Sequence, residues 1–392
     1  MFKKNEVDTW MNCPQCNIKL KQKHLSTHMQ RVHNTKIDDE KIEPLESSNN
    51  KNQQNKIPWA SSKMITGLII IIIVILAFSI FVYFANNNND SNNQNDNTNS
   101  YFVSIDGKGN YLSIQEAVDS AFENDIIFVS SGTYFENIEI NKSIELVGED
   151  RNTTIIEGNG SGIVVNILAD NVKITGFTIK NGGPFSADSS NAGIVIRSNY
   201  NTISDCNVSS NKNYGLYIYS NPETTNNIIK NNIFSYNKYG IYTSYSKSTN
   251  ISSNTFTHND EYGLYLGSRS DGNLISDNLF MFTETKYAVR IKTSEENTII
   301  KNQIMNNQFG GLYFCCGAKN NIVYRNIFIN NTAWNAKDNK LNNTWDNGLV
   351  GNYWDDYTGA DENDDGIGDI PYTIDPKSGG NYVDNFPLMQ PI

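Results

Sequence analysis

The chain has 392 residues, with 31 Lys+Arg against 42 Asp+Glu and a net charge of −11. It is long enough for more than one folded unit. Residues 1–63 hold 11 basic and 7 acidic side chains (+4), leaving 20 against 35 (−15) for the remainder. An acidic, Asn-rich main body lacks the basic surface that phosphate binding needs, which sets nucleic acid aside as its partner.

In chain order, the first signal is Cys13-Pro-Gln-Cys16, followed by His28 and, five positions on, His33. Two thiolates and two imidazoles at this spacing suit tetrahedral zinc. Leu20 and Leu25 fall where a ββα finger keeps its small apolar core. Residues 10–36 resemble a Cys2His2 zinc finger, with one residue fewer than usual between the second Cys and the first His, and Leu20 where an aromatic is usual. His24 competes as a ligand but sits too close to Cys16 for the hairpin-to-helix path. Read as DNA-binding, the finger would turn Lys21, His24 and Thr27 to the bases, yet one finger spans only about 3 bp. A zinc-stabilised knob for a cytosolic protein partner is the preferred reading.

Residues 37–63 lack apolar periodicity and read as a linker. Residues 65–84 carry no charge, and twenty such residues in a helix match the roughly 30 Å bilayer core, so 64–84 is expected to be a transmembrane helix. Lys51, Lys56 and Lys63 precede it, and no Lys or Arg follows until Lys108. The positive-inside rule then gives a single-pass cell-membrane protein with a cytoplasmic N-terminus and an extracellular body. Residues 85–100 form an Asn-rich spacer.

Order resumes at Tyr101. Ser113 and Glu116 look like a capping box for a helix over 114–122. Strands are expected at 126–129, 134–140, 144–147, 154–156, 163–167 and 172–179. The runs Gly-Asn-Tyr-x-Ser-Ile-Gln-x-Ala-Val (109–118), Gly-Thr-Tyr-x-Glu (132–136) and Gly-Glu-x-x-x-Thr-Thr-Ile-Ile (148–156) resemble the N-terminal cap and first coils of pectin-lyase-like right-handed β-helices. A cap is physically required, because the first coil has an open apolar end and an unpaired edge.

Between residues 171 and 331 one pattern recurs. Aliphatic anchors stand at Ile203, Ile229, Ile251, Ile275, Ile300 and Val323, each followed three residues on by Cys206, Asn232, Asn254, Asn278, Gln303 or Asn326. A small residue then opens an alternating run such as GLYIY at 215–219 or GLYLG at 263–267. A period in the twenties built of short alternating runs and Asn/Ser/Gly turns means a strand unit stacked on itself, an all-β parallel β-helix over 101–345, right-handed as the resemblance to the pectin-lyase-like proteins implies. Leu216, Ile241, Leu264, Val289 and Leu312 form one inward file, with Ile218, Leu266, Ile291 and Phe314 a second. Two Asn files, through Asn232 and through Asn211, Asn237, Asn259 and Asn331, read as structural ladders.

The outward file is Tyr217, Tyr242, Tyr265, Arg290 and Tyr313, with Tyr214, Tyr239, Tyr262 and Tyr287 beside it. Stacked tyrosines could hold sugar rings by face contact; strand propensity and self-stacking would give the same file. Arg290-Ile291-Lys292 resembles an element of polygalacturonase-like glycosidases, but Asp205, Asp260 and Asp277 fall singly, without the carboxylate pairs that glycosidic cleavage needs. Cys206 and Cys315 lie several coils apart, and a bridge between adjacent Cys315 and Cys316 would be strained, so disulfide stabilisation is not expected. Eight Asn-x-Ser/Thr sequons permit glycosylation at Asn89, Asn141, Asn152, Asn159, Asn207, Asn250, Asn330 and Asn342.

Residues 346–392 close the chain with GNYWDDYTGADENDDGIGDIPY and DNFPLM. With the repeats, these motifs are similar to the NosD-like β-helix family, which is named for periplasmic proteins linked to copper-site maturation and includes many prokaryotic surface proteins. Copper is not carried over, because His258, Met281, Met305, Met389 and the cysteines are scattered. Asp361, Asn363, Asp365 and Asp369 resemble the front of a calcium loop without its closing Glu, so calcium stays open there. The reading is a membrane-anchored surface β-helix, carbohydrate-binding or structural, facing a glycan or surface-layer component. A polysaccharide lyase or hydrolase, and an adaptor joining the β-helix to the finger, stay open as alternatives.

Overall fold

The computed structural model describes residues 10–12, 19–21, 98–185, 190–338, 342–374 and 382–391. The chain forms two units, Met1–Asn93 and Gln94–Ile392. In the first, β1 (Trp10–Asn12) pairs antiparallel with β2 (Lys19–Lys21), Met11 facing Leu20. Cys13, Cys16, His28, His33 and the whole of 64–84 lie outside the described residues. Among those described, no helix is long and apolar enough to cross a membrane.

The second unit is a right-handed parallel β-helix of three sheets, with ten, ten and nine strands. One coil shows the plan. Asn250–Ser252 lies in the first sheet, Thr255–Thr257 in the second and Tyr262–Leu266 in the third. Each corner of this coil contains a left-handed residue followed by an inward polar residue: Ser253 (φ 56°) then Asn254, His258 (φ 52°) then Asn259, and, in the longer corner 267–273 that also holds left-handed Arg269, Gly272 (φ 63°) then Asn273. A left-handed residue turns the chain sharply, and a short polar side chain behind it can satisfy the peptide groups exposed by the turn. Two expected strands, 134–140 and 172–179, are each split by a bend, into Gly132–Tyr134 with Ile138–Ile140 and, at left-handed Gly176 (φ 81°), Lys173–Thr175 with Thr178–Lys180.

The inward aliphatic files are buried as expected, and Thr243 fills the gap in the second of them. A second stack runs Phe234–Phe256–Phe280, with ring centroids 5.2 and 4.5 Å apart. It resumes as Phe328–Trp354–Tyr372, each pair at 4.3 Å.

One anchor is corrected. Ile299, not Ile300, is in register with Ile275 and Val323. The corner residue is therefore Asn302, buried, and Gln303 is exposed. Two adjacent isoleucines look alike in sequence, yet a one-residue slip moves every side chain to the opposite face. The corrected file is Asn232, Asn254, Asn278, Asn302, Asn326, Asn352. Each residue's N–H and Nδ2 donate to the next Oδ1, for example Asn302 to Asn326, both at 2.9 Å. The second file gains Asn307. A third ladder, unseen in the sequence, runs Asn273, Asn297, Asn321, Asn343.

All three ladders end on carboxylates. Asn352 donates to Asp384, which also accepts from the Trp354 indole at 2.9 Å. Asn343 donates to Asp338. Asn331 donates to Asn335, whose amide donates to Asp355 and Asp356. Burial pushes Asp384 up to about 6 against the lowering by its donors. The acidic closing block is thus a structural cap. At the other end, α1 (Ile114–Ser120) buries Ile114, Ala117 and Val118 against the first strands. Ser113 caps it as expected, and Glu136 of the Gly-Thr-Tyr-x-Glu run accepts from the Ile114 and Gln115 amides, both at 2.9 Å.

Asn302→Ala is expected to lower stability by about 2–4 kcal/mol, since it strands the Asn278 donors and the Ile275 carbonyl. Gln303→Ala should cost under about 0.5 kcal/mol. Urea unfolding followed by circular dichroism measures both, and equal effects would refute the register.

Candidate functional site

The third sheet supplies the outward face that singles itself out. Its strands alternate an inward aliphatic with two outward files. The first carries Tyr214, Tyr239, Tyr262, Tyr287 and, past Gly310, Trp334; the second carries Tyr217, Tyr242, Tyr265, Arg290, Tyr313 and Lys337. Between them runs Gly215, Gly240, Gly263, Ala288, Gly311. The small residue is needed because coils approach closely: a Cβ on Gly240 would run into the carbonyl of Gly263.

The structure keeps the predicted file together but changes what it offers. Tyr242 stacks on Tyr265 at 4.7 Å and 22°, and Tyr239 on Tyr262 at 5.5 Å and 22°. The two files meet edge to face, Tyr262 against Tyr265 at 87°. In the Tyr242–Tyr265 and Tyr239–Tyr262 pairs the rings face each other along the coil axis, whereas Tyr217 meets Tyr242 edge to face at 66° and Tyr214 is tilted 49° to Tyr239. Tyr262 keeps 4% and Tyr265 7% of its surface exposed. Flat aromatic platforms for sugar rings are not what results. The face is a comb of ring edges and phenols, half-buried at Tyr217, Tyr242 and Tyr313. None of the phenol oxygens of Tyr217, Tyr242, Tyr265 and Tyr313 is buried without a partner. Burial raises the phenol pKa of Tyr214, Tyr217, Tyr239, Tyr242, Tyr262, Tyr265 and Tyr313.

Arg290 interrupts the comb. Its guanidinium carbon lies 5.1 Å from the Tyr265 ring and 5.9 Å from the Tyr313 ring. Nη1 donates to the Tyr262 hydroxyl at 2.8 Å, while Nε and Nη2 each donate to Cys315 Sγ at 3.3 Å. Among the described residues no carboxylate comes within ion-pairing distance of Arg290. Lys337 sits 4.7 Å over Trp334, and Lys292 follows Arg290 on the strand Tyr287–Lys292. A cation-bearing edge on an acidic body is suited to an anionic ligand. The approach of Cys315 to Arg290 was invisible in the sequence, because it depends on the register of two neighbouring coils.

The other predicted residues fall elsewhere. Asp361, Asn363 and Asp365 share one exposed loop, where they accept from its own amides, as in Gly366 N to Asp361 at 2.9 Å. Asp369 accepts from Glu362 N at 2.6 Å. Asp205 and Asp277 are left-handed corner residues, separate from Asp260. His258 stacks on Tyr236, lies tilted against Phe282 and lines a shallow depression with Asp260 and Glu284.

A family model described as "Periplasmic copper-binding protein (NosD)" matches residues 118–308 and 222–359. Pectinesterase 2 of Citrus sinensis is 37% identical over 93 residues, covering 20% of this chain and 18% of that one. A probable pectinesterase/pectinesterase inhibitor 6 of Arabidopsis thaliana is 39% identical over 66 residues, covering 14% and 12%. The chain thus spans under a fifth of the length of these relatives. Among solved structures, a complex of XylC with xylose aligns with a TM-score of 0.51 at 11% identity, over 63% of this chain and 67% of that one. That likeness shows the fold alone.

The copper in the family's description can be tested against the donors present. Cys206 is in the core, its thiol pushed up to about 12 by burial. Cys315 faces a guanidinium, a poor neighbour for a metal cation. The His258 ring bonds Thr257 at 2.8 Å. Among the described residues no group of three or more His, Cys, Asp or Glu is set to hold a metal ion. Met281 and Met305, read as scattered in the sequence, stand side by side in register on neighbouring coils, but two thioethers are not a complete donor set, and the described residues do not fit copper.

The raised phenols carry a signed consequence. Above pH ~10 the unfolded chain loses phenolic protons that the folded face retains, so stability falls as pH rises past that value. Ultraviolet titration should show a class of tyrosines that ionise only as the fold opens; ionisation of every phenol near pH ~10 in the folded protein would overturn it.

Proposed function

The chain belongs to the NosD family, and from that premise we propose that it is a surface-displayed binding protein whose tyrosine comb takes an acidic polysaccharide laid along the coil axis. The observation that carries the reading is Arg290, a half-buried cation held among aromatic rings with no carboxylate partner among the described residues. Phenol edges would supply hydrogen bonds at the repeat of the coils, and Arg290, Lys292 and Lys337 would receive the negative groups. In this reading residues 64–84 anchor the chain in a membrane, N-terminus inside. Enzymatic cleavage is not proposed, since the comb brings no carboxylate pair together.

Because the hydroxyls and not the ring faces would do the binding, Tyr→Phe is the informative change. Tyr217→Phe and Tyr313→Phe should each weaken binding about three- to tenfold, the loss of one hydrogen bond. Tyr200→Phe, exposed and off the comb, should leave it unchanged. Glycan arrays with the full chain, followed by titration calorimetry on retained acidic oligosaccharides, test this. No retained glycan, or Phe variants that bind as tightly as the parent, would sink the reading.

A second element rests on the pairing of β1 with β2 on either side of Cys13 and Cys16. We propose that it belongs to a zinc-stabilised finger completed by His28 and His33, serving a cytosolic protein partner. Zinc should then bind one to one to the full chain, and Cys13→Ser with His28→Ala should abolish that binding; undiminished zinc uptake by the double variant would refute the ligand set.

A further inference from the structure

The strand Gly310–Cys315 ends at the coil corner: Cys315 pairs with Lys292, and Cys316 takes the left-handed place that Thr293 (φ 52°) holds in the preceding coil. Cys316 (φ 58°) and Gly317 (φ 97°) both take positive φ, and Ala318 N donates to Cys315 O at 3.1 Å. What sets this corner apart is its residues: a cysteine stands at the left-handed place and another directly before it. Here the corner brings the Cys316 and Cys315 Sγ atoms to 2.9 Å. The Cys316 carbonyl is held by the Thr293 hydroxyl of the preceding coil at 2.8 Å. Cys315 is buried beneath the guanidinium of Arg290, Cys316 is exposed, and the pair is not bridged.

We propose that Cys315 and Cys316 are a thiol–disulfide couple: an oxidation site at the cationic edge of the comb, whose reaction partner is a small disulfide. The two sulfurs need to close only about 0.9 Å to reach the roughly 2.05 Å of a disulfide bond.

The roles follow from exposure and charge. Cys316 is reachable; the hydrogen bond shared with Cys315 holds its thiol below the ordinary range, with Arg290 and Lys292 adding to the effect. It is the attacking thiolate. Burial pushes Cys315 up to about 11, so it serves as the resolving thiol. In the first step Cys316 Sγ attacks one sulfur of the small disulfide. A Cys316 mixed disulfide forms, the small disulfide's own bond breaks, and one thiolate leaves. In the second step Cys315 gives up its proton to solvent and its Sγ attacks Cys316 Sγ, expelling the second thiolate. Two protein thiols are oxidised by two electrons, and one small disulfide is reduced to two thiols. The Arg290 guanidinium stabilises the Cys315 thiolate as it forms.

The test uses the reduced full chain, oxidised glutathione as the probe, and mass spectrometry of the tryptic peptide 302–319, which contains both residues. The expected product is that peptide lighter by two hydrogens, with two glutathione thiols released per site. Cys315→Ser should stop at a stable glutathione adduct on Cys316, and Cys316→Ser should leave Cys315 unmodified. Phenylarsine oxide, a dithiol reagent, should block the reaction in the parent and be retained by neither single variant. A parent peptide that stays reduced, or that keeps one glutathione beside an intact Cys315 thiol, would overturn the proposal. So would a Cys316→Ser variant whose Cys315 reacts as fast as the parent.

Discussion

The fold depends on one interaction, the asparagine amide that reaches from one coil to the next. The laddered corners are made by a left-handed residue, which costs roughly 1–2 kcal/mol in an L-chain, and it leaves backbone groups in the interior. Asparagine can offset this because it both accepts and donates on a short stem. In Asn278 the Oδ1 takes two donors from Asn254, while its own N–H and Nδ2 pass to Asn302 and Nδ2 also reaches the Ile251 carbonyl. Aspartate could not donate, glutamine is a methylene too long, and serine reaches less far. A file of identical residues is thus satisfied at every step but the last.

That polarity explains why the two ends differ. Where a ladder begins, its oxygen is filled by an ordinary backbone amide, as Val172 N donates to Asn201 and Gly182 N to Asn211. Cys206 can open the first ladder for the same reason: that position need only donate its N–H to Asn232. Where a ladder ends, two donors remain and only an acceptor can close it. Asp384, Asp338 and Asp355 are such acceptors. The N-terminal end therefore needs only an apolar plug, which α1 supplies, whereas the C-terminal end needs carboxylates and gathers the chain's densest acidic run. The same carboxylates that suggest a calcium loop at 361–369 belong to a block whose buried members have a structural role.

Legibility followed from how local each signal was. The period, the inward aliphatic files and the capping Ser113 are set by neighbours within a few residues, and they could be read directly. Ile299 and Ile300 could not be told apart, because either choice preserves an aliphatic at the anchor and a polar residue three further on. Only pairing with Ile275 and Val323 separates them. The third ladder was hidden by Thr249, which breaks the run of asparagines, and by Asn-rich surroundings in which every corner looks alike. For the face, outward direction was readable but ring orientation was not. Tyr239 stacks on Tyr262 and Tyr242 on Tyr265, while register-paired Tyr217 and Tyr242 meet edge to face, so position in the file does not set ring orientation.

A solenoid whose interior is self-satisfying places few demands on its exterior, so a departure from the repeat outside carries more information than the repeat does. Arg290 is that departure. A tyrosine in its place would continue the stack between Tyr265 and Tyr313 without disturbing a single core contact. The guanidinium keeps contact with both rings, so the packing is retained while a charge is introduced. It also reaches across to a strand end where the coil carries Cys315 in place of the Gly267 or Lys292 of the coils before it. A cation and two thiols arrive together at one edge of the comb, from positions 25 residues apart in the chain, and neither is required by the scaffold beneath them.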